Sequence, residues 1–218
     1  MYVPPAFAEH DPAVMLDFIE ASPLGALVSA APESDGAELF ATHLPLVVDR
    51  TRGARGTLLG HLARTNPHLE HATAGPRPAL VIFTGPDAYV SPAWYPSKAE
   101  HGRVVPTWNY VAVHAHVTLR VVDDPAALLR HLDALTRTHE HGRAHPWSVA
   151  DAPPGYIEKT MEHTVMIELA IERLTGKWKM SQNRSADDIG GVVHGLHADG
   201  AAHVAAVVEA RTPAGKRR

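Results

Sequence analysis

The chain contains no cysteine among its 218 residues. That absence excludes disulfide bonds, thiolate-bound iron–sulfur clusters and cysteine-ligated zinc, and it is compatible with a reducing compartment. The first residues also lack a long apolar run, because Pro4, Pro5, Glu9, Asp11 and Asp17 interrupt this segment. The sequence therefore predicts neither a signal peptide nor a membrane span. We expect a cytoplasmic protein.

An excess of positive charge is lacking as well. The formal net charge is −4, and the only basic cluster is the terminal run 216–218. Broad binding to nucleic acid requires a concentrated basic face. The helix expected after Ser185 carries Asp187 and Asp188 where a DNA-recognition helix would carry arginines. Direct DNA binding is therefore not expected.

Familiar catalytic motifs are missing. The sequence has no Walker loop, no G-x-G-x-x-G pattern and no nucleophile elbow around a serine. The segment His139-Glu140-His141 begins like a zinc-protease motif, but the position four residues after His139 holds Arg143. We therefore expect no metal site.

What the sequence does contain is a series of strand signals with helices inserted between them. The clearest is the alternation of apolar and polar residues over 110–122, which is repeated over 164–172. Helix caps are expected at Asp11, Asp124 and Ser185, and Gly200 separates a last helix. Further strands are predicted at 24–30, 37–49, 56–63, 79–84 and 88–91.

Strands and helices do not alternate regularly, which favours an antiparallel barrel with peripheral helices over a doubly wound sheet. The fold class is thus mainly β, of the α+β type. Turn formers at 32–36 predict a hairpin between the first two strands. We expect one domain over residues 1–200 and a C-terminal helix with a basic tail over 201–218.

An aromatic block runs from Phe83 to Tyr110. It holds three tyrosines, two tryptophans and four prolines. Large flat side chains fixed by prolines lose little entropy on ordering and can stack on a planar ligand. The same composition is also typical of an ordinary aromatic core. Composition alone leaves both interpretations open.

Polar residues cluster at the ends of the predicted strands, where rigid scaffolds present binding sites. Arg64 follows one strand and precedes a short helix starting near Asn66, so Arg64 could bind a phosphate with help from His61 or Thr65. The alternative is a surface arginine beside a helix cap. The cations Lys177, Lys179 and Arg184 surround polar residues that suit an anionic heteroaromatic ligand, or they lie in a solvated loop.

The segments ATHLPLVVD, GHLARTNPH, FTGPDAYVSPAWYPSK, VVPTWNYVAVHAH and GKWKMSQNRSADDIGGV together resemble the PaiB-type family, described as FMN-binding negative transcriptional regulators. The resemblance spans nearly the whole chain. It implies a split β-barrel that binds FMN and works as a homodimer, with the flavin at the subunit interface.

The resemblance also implies roles for individual residues. The segment GHLARTNPH is similar to the turn that grips the flavin phosphate in related barrels, which makes His61, Arg64 and Thr65 phosphate candidates, with Asn66 at the helix start. Thr42 and His43 precede this segment on the neighbouring strand, and at most one of the two is expected to face the flavin. The resemblance implies that one wall of the ring pocket is formed by Trp94, Lys98, Trp108 and Asn109. Four further residues are implied to reach across the dimer, namely Lys177, Ser181, Gln182 and Arg184.

Three functions are compatible with this sequence. The first is an FMN-binding protein with a regulatory role, and the second is a flavin-dependent oxidoreductase acting on a small molecule. The third is a small-molecule binding module without redox chemistry. The first is the leading hypothesis, because the resemblance implies it, and the second is the alternative.

Overall fold

The protein is described by a computed structural model that covers residues 1–30, 39–72 and 75–216. The chain forms two compact units. The first consists of Met1–Met15, Thr84–Val113 and Thr175–Arg218, and the second of Leu16–Phe83 and His114–Leu174. We refer to them below as unit 1 and unit 2.

Eight strands form one sheet. Their bounds are β1 Ala8–Glu9, β2 Leu24–Ala30, β3 Leu39–Pro45, β4 Val47–Asp49, β5 Thr57–Ala63, β6 Arg77–Val90, β7 Thr107–Val122 and β8 Thr164–Lys179. The strand order is β3-β2-β6-β7-β8-β5-β4, and β1 pairs with β8. Antiparallel pairing joins β2 to β3 and β6, β5 to β4 and β8, and β1 to β8. The antiparallel sheet predicted from the sequence is confirmed.

Seven α-helices are present in the described part of the chain. Their bounds are α1 Pro12–Ala21, α2 His68–Ala72, α3 Ser97–His101, α4 Pro125–Glu140, α5 Tyr156–Met161, α6 Ala186–Ala198 and α7 Ala202–Arg211. None of these helices is both long and apolar enough to cross a membrane.

Helix starts follow the caps expected from the sequence. The Asp124 side chain accepts a hydrogen bond of 2.9 Å from the Ala126 amide, and Pro125 occupies the first helical position of α4. Ser185 accepts one of 3.2 Å from the Asp188 amide at the start of α6. These side chains satisfy amides that would otherwise lack partners.

The alternation over 110–122 buries one face of β7, including Val111, Val113, Ala115, Val117 and Leu119. In unit 2, Phe83, Leu58 and Ile167 are also fully buried. In unit 1, α6 and α7 pack on each other and bury Val192, Leu196, Val204 and Val208. The hydrophobic effect on these faces stabilises the fold.

Several strand predictions were wrong in their bounds. The segment 79–84 and residues 88–90 of the segment 88–91 belong to the single strand β6, which ends at Val90. The segment 37–49 is divided into β3 and β4 at Leu46, which is buried. β8 continues past residue 172 to Lys179, so Lys177 and Lys179 lie in a strand rather than in a loop. The predicted turn at 32–36 lies outside the described residues.

Candidate functional site

The structure divides the predicted site residues into two groups, one in each unit. The Arg64 group lies in unit 2 and comprises Thr42, His43, His61, Arg64, Thr65 and Asn66. The Lys179 group lies in unit 1 and comprises Trp94, Lys98, Trp108, Asn109, Lys177, Lys179, Ser181, Gln182 and Arg184.

Arg64 follows β5 and is exposed to solvent. Its guanidinium lies 2.5 Å from a carboxylate oxygen of Asp123, which is also exposed. The hydrogen bond from Arg64 lowers the pKa of Asp123. A surface ion pair of this kind contributes only about 0 to 1 kcal/mol. Arg64 can therefore exchange this partner for another anion at little cost.

Asn66 connects the turn after β5 to the neighbouring segments. Its amide nitrogen donates to the Thr42 hydroxyl at 3.2 Å, and its carbonyl oxygen accepts from the His68 amide at 3.0 Å. Asn66 thus caps α2, which spans only five residues. His43 and Thr65 are exposed, whereas Thr42 is half-buried. Thr42 and His43 lie on opposite sides of β3, as the strand geometry predicts.

His61 contacts a residue that the sequence did not suggest. Its Nδ1 atom lies 3.1 Å from Nε2 of His131, which is buried in α4. Burial lowers the pKa of both rings, that of His131 to about 4. Among the described residues, Nδ1 of His131 has no hydrogen-bond partner. In the contact between the two rings one nitrogen donates and the other accepts, and the tautomers of the two rings set which is the donor.

Three cations of the Lys179 group lie close together. Lys177 is buried, with its ammonium 3.2 Å from the Tyr2 carbonyl oxygen and 5.1 Å from the centre of the Tyr110 ring. Lys179 donates to the Trp108 carbonyl oxygen at 2.6 Å and to the Thr107 hydroxyl. Arg184 lies over the Tyr95 ring at 4.6 Å.

The cations of this cluster repel one another. Burial lowers the pKa of Lys179, and the positive charges of Lys177 and Arg184 lower it further. No ion pair in the described ranges involves any of the three cations. Cations that repel one another at short range favour the binding of an anion.

Asn109 and Ser181 form a buried polar pair. In the sequence, Ser181 lies between Lys179 and Arg184. The Asn109 amide donates to the Ser181 hydroxyl at 3.1 Å, and that hydroxyl lies 3.2 Å from the Asn109 carbonyl oxygen. Ser181 has a φ angle of +63°, which side-chain-bearing residues rarely adopt. The pair fixes the chain at the end of β8.

The two tryptophans of the aromatic block have different surroundings. Trp108 is half exposed, donates to Asp87 at 2.8 Å and meets the exposed Tyr89 edge-to-face at 6.1 Å. Trp94 packs against α6, where a methyl group on Gly195 would come within 2.2 Å of its ring. Trp108 and Tyr89 therefore offer an accessible aromatic surface, while Trp94 contributes to packing.

The remaining members of the group are more peripheral. Lys98 is exposed in α3. The Gln182 side chain accepts from the Met180 amide at 2.7 Å and donates to the Trp178 carbonyl oxygen at 2.6 Å. Lys216 holds the same loop by donating to the carbonyl oxygens of Gln182 and Arg184. Gln182 is therefore engaged in loop structure.

Sequence reasoning missed Tyr89 and His131 as members of these sites. The spacing of Tyr89 and Trp108 in the chain gives no indication of their contact, since it depends on the pairing of β6 with β7. Within the described residues, no group of three or more histidine, aspartate or glutamate side chains could hold a metal ion.

Sequence comparisons show the family to which the chain is related. A family model described as "Putative FMN-binding domain" matches residues 1–173. An uncharacterized protein of Aspergillus fumigatus is 34% identical over 236 aligned positions, covering 90% of each chain. The Bacillus subtilis protein named Protease synthase and sporulation protein PAI 2 is 28% identical, covering 90% of this chain and 89% of its own.

Solved structures show the same fold. The FAD and haem binding protein of Mycobacterium smegmatis has a TM-score of 0.57 at 20% identity, covering 84% of this chain and 78% of that one. A conserved hypothetical protein of Mycobacterium tuberculosis has a TM-score of 0.58 at 11% identity, covering 84% and 94%. These likenesses confirm the split-barrel fold class. The chain therefore belongs to the FMN-binding-domain family of the PaiB type.

Proposed function

We propose that this protein binds FMN. The observation that carries the proposal is the cluster of Lys177, Lys179 and Arg184. These cations make no ion pair in the described part of the chain, and Lys179 is bonded to the main chain of the exposed Trp108. An anionic ligand with a planar ring has the chemistry to satisfy both features. Family membership supports the same ligand.

The two groups have the chemistry for different parts of FMN. Arg64 is exposed and weakly held, and its guanidinium matches a phosphate through two parallel hydrogen bonds. Lys179 bonds to the main-chain carbonyl oxygen of Trp108 and Arg184 lies over the Tyr95 ring, so both cations suit the electron-rich edge of the flavin ring. For contact with the FMN phosphate we propose Arg64, and for contact with the flavin ring we propose Lys179 and Arg184, each on the chemistry of its own surroundings.

Bound FMN would supply one- and two-electron redox chemistry. The residues of this chain would hold and orient it. Positive charge from Lys179 and Arg184 next to the ring would favour any state with added negative charge, because the cations attract it in a partly buried site. Trp108 and Tyr89 would shield one face of the ring from water.

We further propose that the protein is a cytoplasmic homodimer with a regulatory role. The family resemblance supports the homodimer and the regulatory role, and the lack of cysteine is compatible with a reducing compartment. The acidic helix α6, with Asp187 and Asp188 in its first turn, does not suit DNA. Regulation would therefore act through a partner protein or a metabolite, with the flavin biasing the conformation that the partner recognises.

Replacing Arg64 tests the phosphate assignment. We expect Arg64→Ala to weaken FMN binding by about 1.5 to 3 kcal/mol, the contribution of a hydrogen bond to a charged group. The affinity for riboflavin, which has no phosphate, should stay unchanged. Flavin fluorescence titration measures both constants. Arg55→Ala removes an exposed arginine from the turn before β5 and serves as the control. Equal losses for the two ligands would reject this role for Arg64.

Replacing Lys179 tests the ring assignment. We expect Lys179→Met to weaken FMN and riboflavin by similar factors, because both ligands carry the same ring. The exposed Lys159→Met variant is the control. A loss confined to FMN would instead show that Lys179 holds the phosphate. Sustained oxidation of a nicotinamide reductant by the FMN-loaded protein would favour the oxidoreductase over the regulator.

A further inference from the structure

The last described residues form a turn that is fixed to α7. Ala214–Lys216 is a short 3-10 helix that follows α7, and the Lys216 amide donates to the Pro213 carbonyl oxygen at 2.8 Å. The hydroxyl of Thr212, which is buried, donates to the Val208 carbonyl oxygen of α7 at 2.8 Å. The position of Lys216 is therefore set by α7, and both belong to unit 1.

The half-buried side chain of Lys216 reaches the loop between β8 and α6. Its ammonium donates to the carbonyl oxygen of Gln182 at 3.0 Å and to that of Arg184 at 2.6 Å. Hydrogen bonds from an ionised donor are roughly twice as strong as those between neutral groups. Lys216 thus joins the C-terminal turn to a loop that lies more than thirty residues earlier in the chain.

Arg184 is the residue of this loop that belongs to the proposed flavin site. Its amide donates to the Ser181 carbonyl oxygen at 2.9 Å, and its carbonyl oxygen accepts from Lys216. Ser181 has a φ angle of +63°, and residues with a side chain keep such a conformation only where their surroundings support it. Lys216 therefore occupies one of the two main-chain groups that fix Arg184.

The guanidinium of Arg184 lies on a firmly held aromatic ring. It is 4.6 Å from the centre of the Tyr95 ring, and Tyr95 is buried. An arginine side chain loses much conformational freedom when it is ordered. If the main chain is already fixed, only the side chain has to be ordered when a ligand binds, and the affinity is higher.

We infer that Lys216 is a positioning residue for the flavin ring, and that it acts by holding the main chain of Arg184. The inference rests on the proposed binding of FMN and extends that site to the C-terminal turn. The family model matches residues 1–173 and does not include this turn. A partner protein that drew Lys216 away from the loop would lower the flavin affinity, which gives the proposed regulatory role a physical route.

Replacing Lys216 tests the inference, with riboflavin as the probe because it carries the ring without the phosphate. We expect Lys216→Met to raise the dissociation constant for riboflavin about tenfold, since two hydrogen bonds from a charged donor are lost. Lys216→Arg should restore most of the affinity, because a guanidinium can donate to both carbonyl oxygens. Lys159→Met removes the same charge from an exposed position in unit 2 and serves as the control.

A double-mutant cycle with Arg184→Met shows whether Lys216 acts through Arg184. In the Arg184→Met background, Lys216→Met should cause no further loss of riboflavin affinity, because the group that it positions is already absent. A residue that only stabilised the fold would lower the affinity by the same factor in both backgrounds. Urea unfolding without flavin measures the stability of each variant separately.

Three results would overturn the inference. The first is an unchanged riboflavin affinity in Lys216→Met. The second is an equal loss in Lys216→Met and Lys159→Met, which would reflect the overall charge. The third is the same loss with and without Arg184, accompanied by a lower urea midpoint, which would assign Lys216 to fold stability. A wild-type protein that binds no riboflavin and no FMN would instead reject the proposed function, and this inference with it.

Discussion

Trp94 packs against two glycines of α6, Gly191 and Gly195. Its ring lies against Gly195, and its carbonyl oxygen would be 2.0 Å from a methyl group added to Gly191. The two glycines are four residues apart, so they lie on the same face of α6. Their missing side chains form the space that the aromatic block occupies. The contact fixes the position of this block on unit 1.

We predict opposite effects for two glycine-to-alanine substitutions in α6. Gly195→Ala should destabilise the protein by about 1 to 3 kcal/mol, because the new methyl group overlaps the Trp94 ring. Gly190→Ala has no atom within 4 Å of the new methyl group and should stabilise the helix by about 1 kcal/mol. Urea unfolding measures both. Equal stability of the two variants would contradict this account of Trp94.

The contact between β5 and α4 depends on two neutral histidines. Burial lowers the pKa of His131 to about 4, well below its usual 6.5. A lowered pKa means that the unfolded chain binds a proton more readily than the folded protein. The contribution of His131 to the free energy of unfolding is therefore fully present above pH 6.5 and is lost as the pH falls towards 4.

From this difference we predict that lowering the pH from 7 to 5 costs about 2 kcal/mol of unfolding free energy through His131. His131→Leu should remove most of this loss, because leucine does not titrate. His139→Leu, which replaces an exposed histidine of the same helix, should retain it. Denaturant unfolding across this pH range provides the values. Identical pH profiles for His131→Leu and wild type would show that the pair has no such role.

The elements differ in how far the sequence predicts them. The Asp124-Pro125 start of α4 and the alternation in β7 depend on local chemistry, so their positions follow from the sequence. The extension of β8 through Lys177 could not be predicted from the sequence. A buried lysine is exceptional, and the burial of Lys177 depends on its contacts with Tyr2 and Tyr110. The positive φ of Ser181 likewise has no sequence signal.

The candidate site was likewise predicted only in part from the sequence. The sequence and the family resemblance pointed to Arg64 and to the cations after residue 176. The partners of these residues, Asp123 and the Trp108 main chain, come from distant segments that only the fold brings near. The spacing of Gly191 and Gly195 was visible in the sequence, but its meaning depends on knowing that Trp94 is the partner.

For the molecule as a whole, family membership and the split-barrel fold are established by the comparisons, and the central proposal is the binding of FMN. We expect one FMN per chain and two per homodimer.

The most direct test is titration of the purified full chain with FMN and with riboflavin, followed by flavin fluorescence. The account predicts saturable binding of one FMN per chain, with weaker binding of riboflavin because it lacks the phosphate. A colourless protein that binds neither flavin at saturating concentrations would contradict the central claim.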